Sequence, residues 1–133
     1  MSEILKGKKV LIAEDEAPML GALNEKFTDE GCNVIAAEDG DAALALAKKE
    51  QPDLILLDIL MPKVNGLDVL EKIRGVGAWG KKVPIIMLTN LSADDKIINS
   101  VAKNEPSYYL VKTDWKLFDI VEKAKECLKN PSK

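Results

Sequence analysis

The sequence predicts an α/β protein built on an open parallel sheet, and two features of the chain support this prediction. Five short apolar runs alternate with segments whose apolar residues keep helical spacing, which is the pattern of repeated β-α units. The runs are nearly continuous, as expected of parallel strands that helices cover on both faces. The predicted strands are residues 10–13, 34–37, 54–57, 83–88 and 108–111.

Each predicted strand is followed by a predicted helix, so five helices are expected. Their apolar stripes are Leu20, Leu23 and Phe27; Ala43, Leu46 and Ala47; Leu67, Leu70 and Ile73; Ile97, Ile98 and Val101; and Leu117, Ile120, Val121, Ala124 and Leu128. Gly31 suits a left-handed cap after the first helix, and Asp39, Ser92 and Asp114 suit the N-termini of later helices.

Length and composition indicate one ordinary globular domain. The 133 residues form a single predicted domain, 1–133, with a core of about 7–129 and short tails. The net charge of -3 gives no bulk attraction for nucleic acid, and no apolar stretch is long enough for a membrane span or a signal core. A cytoplasmic protein is therefore expected. Cys32 and Cys127, with no histidine in the chain, are interpreted as buried thiols.

Polar residues stand where four of the apolar runs stop. Glu14 and Asp15 follow the first strand, Asp58 the third, Thr89 the fourth and Lys112 the fifth. The carboxyl ends of parallel strands meet at one edge of the sheet, and ligands bind there in such folds. Taken singly, each residue is more often a turn, cap or surface residue, but the conjunction on four strand ends favours a functional site.

This set of side chains suits a divalent cation and a phosphoryl group. Magnesium prefers carboxylate oxygens and retained waters, so Glu14, Asp15 and Asp58 form a fitting ligand set, with Mn2+ as a substitute. A carboxylate such as Asp58 can form an acyl phosphate. Thr89 and Lys112 offer a hydroxyl and a compact positive charge to the phosphoryl oxygens.

Four segments of the chain together resemble the receiver domain of two-component response regulators. They are residues 10–16 (V-L-I-A-E-D-E), 54–62 (L-I-L-L-D-I-L-M-P), 87–89 (M-L-T) and 109–112 (Y-L-V-K). Asn65-Gly66 is also similar to the family's turn after the phosphoacceptor. The resemblance covers nearly the whole chain. It implies a doubly wound, flavodoxin-like fold with strand order 2-1-3-4-5.

The resemblance also implies a role for each site residue. Asp58 matches the phosphorylated aspartate, and Lys112 matches the lysine that contacts the phosphate. Glu14 and Asp15 match the acidic pair around magnesium, and the main-chain carbonyl of Leu60 matches the third protein ligand of the metal. Thr89 matches the switch hydroxyl and Tyr109 the switch aromatic.

The function implied by this resemblance is that of a stand-alone receiver. It takes a phosphoryl group from the phosphohistidine of a histidine kinase or phosphotransfer protein and signals to a downstream protein. The implied chemistry is limited to self-catalysed phosphotransfer and slow autodephosphorylation, so no conventional enzyme is expected. The alternatives are a phosphorelay intermediate and an interaction module of the same fold that works without phosphorylation.

The expected partner face combines the fourth predicted helix, the fifth strand and the fifth predicted helix. Its predicted residues are Ile97, Tyr109, Trp115 and Phe118. Trp115 and Phe118 lie three positions apart and outside the apolar stripe of the last helix, so they are expected to be exposed. The same face is the expected contact in a homodimer. Trp79, after the third helix, is interpreted as a structural loop residue.

The sequence departs from the family pattern at four positions. Thr113 follows Lys112 where proline is usual, and Asn90 follows Thr89 where a small residue is usual. Leu60 and Leu91 stand two residues beyond Asp58 and Thr89, and neither can orient an attacking water. We therefore expect a comparatively long-lived acyl phosphate.

Three other functions on similar folds are disfavoured. A haloacid dehalogenase-type phosphatase needs an acid two residues after its nucleophile, where this chain has Leu60. A flavodoxin needs a Ser/Thr-rich phosphate loop after the first strand, where this chain has three acidic residues. A P-loop is excluded because no G-x-x-x-x-G-K-[ST] motif occurs.

Overall fold

The five strands form one parallel sheet in the order β2-β1-β3-β4-β5, which confirms the predicted fold class. The computed structural model describes residues 3–89, 106, 108–112 and 116–129. The strands are β1 (Lys9–Ala13), β2 (Asn33–Ala37), β3 (Leu54–Leu57), β4 (Ile85–Thr89) and β5 (Tyr108–Val111).

The start of β4 differs from the prediction, which began this strand at residue 83. The N–H of Val83 donates to the Trp79 carbonyl at 2.9 Å, and Pro84 has no N–H to donate. Neither residue can therefore donate to the sheet, and β4 begins at Ile85.

In the described residues the helices are α1 (Ala17–Asp29), α2 (Gly40–Glu50), α3 (Gly66–Arg74), α4 (Gly77–Lys82) and α5 (Leu117–Lys129). The predicted helix around Ile97 lies outside the described residues, as do Ser92, Asp114 and Trp115. Among the described helices, none is both long and apolar enough to span a membrane.

The segment around Trp79 is a short helix, α4, and the interpretation of this segment as loop was wrong. It spans six residues with two glycines and has no apolar stripe that could predict it. Its end is held from outside, because the Arg74 guanidinium donates to the carbonyls of Gly80 at 2.9 Å and Val83 at 2.7 Å. Trp79 is structural, as expected, since its indole N–H donates to the Pro52 carbonyl at 3.0 Å.

Two of the predicted helix-terminal signals are confirmed. Gly31 has φ +94°, a left-handed conformation that glycine adopts without strain, one residue after the α1 C-cap. The Asp39 carboxylate accepts from the Ala42 N–H at 2.8 Å and caps α2. Asn65 caps α3 in the same way.

The sheet is buried between two apolar layers. Alternate residues of the central strands face α1 and α5 on one side, and α2 and α3 on the other. Cys32 and Cys127 are buried in the first layer without a disulfide, as predicted. Strands β2 and β5 are exceptions to the continuous burial, because they lie at the two edges of the sheet and are only partly covered.

The strand register brings the carboxyl ends of the strands to one edge. Ala13 pairs with Leu57, Leu57 with Met87, and Thr89 with Val111. Glu14 and Asp58 follow Ala13 and Leu57, so the register sets these two side by side on neighbouring strands. Lys112 follows Val111 on the far side of β4, two positions further along, and its side chain reaches back to Asp58.

Candidate functional site

Two buried carboxylates lie at the carboxyl edge of the sheet. Glu14 is 2% exposed and Asp58 is 3% exposed. The N–H of Glu14 donates to the Ala37 carbonyl and that of Asp58 to the Ala13 carbonyl, each at 3.0 Å. Both residues therefore extend the hydrogen-bond ladder of the sheet, which fixes their backbone.

Each buried carboxylate also accepts a backbone hydrogen bond from two residues further along the chain. The N–H of Glu16 donates to Glu14 Oε2 at 3.1 Å, and the N–H of Leu60 donates to Asp58 Oδ1 at 3.2 Å. These bonds orient the two side chains and leave Glu14 Oε1 and Asp58 Oδ2 directed at a third group.

That third group is the ammonium of Lys112. Lys112 Nζ contacts Glu14 Oε1, lies 3.1 Å from Asp58 Oδ2 and lies 3.4 Å from Glu16 Oε1. The Lys112 side chain is 7% exposed. Lys112 is thus a buried counter-ion that joins the ends of β1, β3 and β5.

Burial and charge shift the pKa values of this cluster. Burial raises the pKa of Glu14 to about 7, with a further contribution from the Asp58 charge, although hydrogen bonds from Lys112 and the Glu16 N–H act against the rise. Burial alone would lower the pKa of Lys112, but hydrogen bonds to Glu14 and Asp58 and their negative charge outweigh it, so that pKa is raised. Lys112 is therefore charged at neutral pH.

Three carboxylates are close enough to share one cation. Glu14, Glu16 and Asp58 each offer one oxygen, and these oxygens lie within 4.8 Å of one another. An all-oxygen set of this kind fits Mg2+. Glu16 was not among the predicted ligands, although its position two residues after Glu14 in the same turn could have suggested it. Asp15, which was predicted as a ligand, is exposed and is not part of this group.

The segment after Asp58 is packed tightly against α2 and α3. A Cβ on Gly66 would lie 2.0 Å from the Asp58 carbonyl oxygen, and one on Gly40 would lie 1.8 Å from the Val64 carbonyl oxygen. The Gly66 N–H donates to the Ile59 carbonyl at 2.8 Å. Lys63, with φ +71°, forms an ion pair with Asp39 at 3.6 Å. The 59–65 loop that follows Asp58 is therefore held at both ends.

The structure describes only some of the other predicted site residues. Thr89 ends β4 at the same edge, and its side chain lies outside the described part of the chain. Tyr109 is partly buried against the layer of α2 and α3. Leu60 is 52% exposed beside Asp58. Asn90, Leu91 and Thr113 lie outside the described residues.

Of the four residues of the predicted partner face, the structure describes Tyr109 and Phe118. Phe118 is 64% exposed on α5, as its position outside the apolar stripe predicted. Ile97 and Trp115 lie outside the described residues. Beside this face the Tyr108 hydroxyl donates to Glu126 Oε2 at 3.1 Å, and Lys123 lies 4.8 Å from the centre of the Tyr108 ring.

Comparison with known proteins finds one family over most of the chain. The response regulator receiver domain matches residues 10–124. The chain is 35% identical over 113 residues to the probable transcriptional regulator ycf27 of Porphyridium aerugineum, covering 76% of this chain and 45% of that protein. It is 42% identical over 81 residues to the transcriptional regulatory protein CpxR of Klebsiella pneumoniae, covering 61% and 33%. The chain thus spans less than half the length of these relatives.

Solved structures agree with the sequence comparison. A CheY-like response regulator receiver domain protein from Methanospirillum hungatei has a TM-score of 0.86 at 26% identity, covering 95% of this chain and 97% of that one. A CheX-CheY-BeF3-Mg complex from Borrelia burgdorferi has a TM-score of 0.79 at 26% identity, covering 91% and 89%.

Proposed function

This chain belongs to the response regulator receiver domain family, and we propose that Asp58 accepts a phosphoryl group from the phosphohistidine of a histidine kinase or phosphotransfer protein. One observation carries the proposal. A buried aspartate at the end of the central strand β3 lies 3.1 Å from a buried ammonium and shares a cluster of oxygens with Glu14 and Glu16.

The proposed transfer forms one bond and breaks one. A carboxylate oxygen of Asp58 attacks phosphorus, the phosphorus–nitrogen bond of the phosphohistidine breaks, and the imidazole nitrogen leaves with the electron pair. Before a cation binds, the Leu60 N–H and Lys112 hold the two Asp58 oxygens, so the carboxylate is already oriented toward the mouth of the site. Lys112 then offsets the charge of the phosphoryl oxygens, and Thr89 offers them a hydroxyl.

The residues present fit a divalent cation. Glu14, Asp15, Asp58 and the Leu60 carbonyl are the proposed ligands, and the buried oxygens of Glu14 and Asp58 lie within 4.8 Å of each other, close enough to share one ion. Bound Mg2+ or Mn2+ supplies positive charge that lowers the repulsion between the carboxylates and an incoming phosphoryl group. The similar complex from Borrelia burgdorferi contains BeF3 and Mg, which supports this choice of ion.

The proposed output is a change at the face that contains Tyr109 and Phe118, together with Ile97 and Trp115. Thr89 drawn toward the phosphoryl oxygens would leave space that Tyr109 can fill, which is a two-state element. The exposure of Phe118 supports a contact surface here. The expected partners of this surface are a downstream protein and a second copy of the chain.

The proposal for residues 1–133 is signalling through protein contacts. The relatives named as transcriptional regulators are longer than this chain, so their activity on DNA is not transferred to it. Absence of nucleic-acid binding stays a prediction for these residues, whose net charge is -3. The stand-alone role and the phosphorelay alternative differ in one measurable property, namely whether the phosphoryl group moves on from Asp58 to a second histidine protein.

The central assignment is tested by labelling with acetyl phosphate in magnesium buffer, followed by intact-mass spectrometry. The wild type should gain one phosphoryl group per chain, and Asp58→Asn should gain none. Asp29→Asn, at the exposed end of α1, is the matched control and should label like the wild type. Equal labelling of the Asp58→Asn variant would refute the assignment, and no labelling of the wild type would favour a phosphorylation-independent interaction module.

A further inference from the structure

The three carboxylates around Lys112 differ sharply in burial. The side chains of Glu14 and Asp58 are 2% and 4% exposed, whereas that of Glu16 is 52% exposed. The ammonium therefore has two partners inside the site and one at its mouth.

A divalent cation and the Lys112 ammonium compete for the same inner oxygens. Lys112 contacts Glu14 and Asp58, which are also members of the carboxylate group that a cation would join. Like charges repel strongly where water is excluded, so the ammonium would have to move for a cation to bind to these oxygens. Its compact charge on a flexible four-carbon chain allows such a movement.

Glu16 is placed to receive the displaced ammonium. Its backbone is fixed on both sides, because its N–H donates to Glu14 Oε2 at 3.1 Å and its carbonyl accepts from the Leu20 N–H at 2.9 Å. It occupies the N-cap position of α1, yet its side chain makes no capping hydrogen bond. The carboxylate instead lies 3.4 Å from Lys112 Nζ.

We propose that Glu16 is a positioning residue that holds the Lys112 ammonium at the mouth of the site when a divalent cation occupies Glu14 and Asp58. The proposal rests on the proposed function of this site. Its consequence is that Lys112 stays within reach of the phosphoryl oxygens rather than leaving for solvent. Glu16 therefore supports cation binding through Lys112, and not by contact with the cation.

A double-mutant cycle on cation affinity tests this. Mg2+ is titrated calorimetrically at constant ionic strength into the wild type, Glu16→Gln, Lys112→Gln and the double variant. With Lys112 present, Glu16→Gln should weaken Mg2+ binding by about five- to tenfold, a coupling of the size found between neighbouring charged groups. In the Lys112→Gln background, Glu16→Gln should weaken Mg2+ binding by less than about twofold. Glu16→Asp should recover part of the affinity.

Glu38→Gln is the matched control, because Glu38 follows β2 at the same edge of the sheet and is also exposed. It should leave Mg2+ affinity unchanged. An equal loss for Glu16→Gln in both Lys112 backgrounds would overturn the proposal, since Glu16 would then act on the cation directly. Failure of the wild type to bind Mg2+ or to label at Asp58 would instead refute the proposed function.

A second measurement needs no Lys112 variant. In the wild type with Mg2+, the NMR signals of the two Lys112 ε-methylene protons should stay distinct, as expected of a held side chain. In Glu16→Gln with Mg2+ they should merge into the averaged signal of a solvated lysine. Identical spectra for the two proteins would contradict the proposal.

Discussion

At the scale of single residues, Lys112 determines the stability of the cation-free site. One ammonium is the shared counter-ion of two buried carboxylates at the end of the sheet. Removing one partner of a buried ion pair is strongly destabilising, because an uncompensated buried charge remains. The arrangement therefore links the stability of the fold to the occupancy of the site.

Lys112→Met should lower the free energy of unfolding of the cation-free protein by about 3 kcal/mol, measured by urea titration. Added Mg2+ should recover more stability in this variant than in the wild type, because the ion replaces the missing charge. Lys125→Met removes two partly exposed ion pairs, with Glu122 and Glu30, and should cost less than about 1 kcal/mol. A cost for Lys112→Met no larger than this control would contradict the role of Lys112 as counter-ion.

Leu60 should control the lifetime of the acyl phosphate. Its side chain is 52% exposed beside Asp58 and cannot hydrogen-bond an attacking water. Leu60→Asn should speed dephosphorylation by about tenfold, well below the effect of a full general base. The rate is followed by loss of label after the donor is removed. Leu60→Met should keep the wild-type rate, and loss of the wild-type label within seconds would contradict the expectation of a long-lived species.

Cys32 should be unreactive in the folded protein near neutral pH. Burial raises the pKa of its thiol to about 11, with a smaller contribution from the charge of Glu30. The thiolate is the reactive form, so its fraction at pH 8 falls below that of the unfolded chain, whose thiol pKa is about 8.5. In a Cys127→Ser background, labelling by a dipyridyl disulfide should be slow and should accelerate up to about pH 11. Equal rates in folded and urea-unfolded protein would refute this.

The residues that could be predicted at this scale are those that directly follow a strand end at the carboxyl edge of the sheet. Glu14, Asp58 and Lys112 each follow the last residue of a strand, so reading the strands correctly brings them together. Glu16 could not be predicted in the same way. It lies in the turn beyond the end of β1, so the strand pattern does not place it, and only its position two residues after Glu14 could have suggested it.

At the scale of elements, the 59–65 loop depends on two glycines whose neighbours leave no room for a side chain. Gly66 begins α3 directly against the Asp58 carbonyl, and Gly40 begins α2 against Val64. The helices on this side of the sheet therefore limit the position of the Asp58 backbone.

Gly66→Ala should destabilise the protein by about 2 kcal/mol, because its Cβ would lie 2.0 Å from the Asp58 carbonyl oxygen and α3 must shift. Thermal or urea unfolding measures this change, and labelling at Asp58 should slow with it. Gly21→Ala is the matched control, since it lies within α1 with nothing within 4 Å of its Cβ position. That change should stabilise by up to about 1 kcal/mol. A neutral Gly66→Ala would show that this contact is not restrictive.

The strands and the long helices could be predicted because the signals are local in the sequence, namely continuous apolar runs for the strands and helical spacing of apolar residues for the helices. Helix α4 could not, since it is a single six-residue segment without an amphipathic pattern. The Arg74 side chain, which joins α3 to the end of α4, provides the tertiary contact that the local sequence lacks.

At the scale of the whole molecule, the site and the partner face lie on connected elements. Strand β5 carries Tyr109 and leads directly to Lys112 at the site. Helix α5 packs its apolar side onto the sheet and exposes Phe118. In the proposed function, β5 is the element that connects Asp58, through Lys112, to the predicted partner face.

Phe118 should contribute to dimer formation and not to the free energy of unfolding. Its side chain is 64% exposed, so Phe118→Ser should change the free energy of unfolding by less than about 0.5 kcal/mol and leave labelling of Asp58 intact. With Mg2+ and beryllofluoride, the wild type should sediment as a dimer and Phe118→Ser as a monomer, because a large apolar side chain at the face is lost. Analytical ultracentrifugation with and without beryllofluoride distinguishes the states. A dimer that Phe118→Ser leaves unchanged, or a wild type that stays monomeric with the mimic bound, would exclude this face as the homodimer contact.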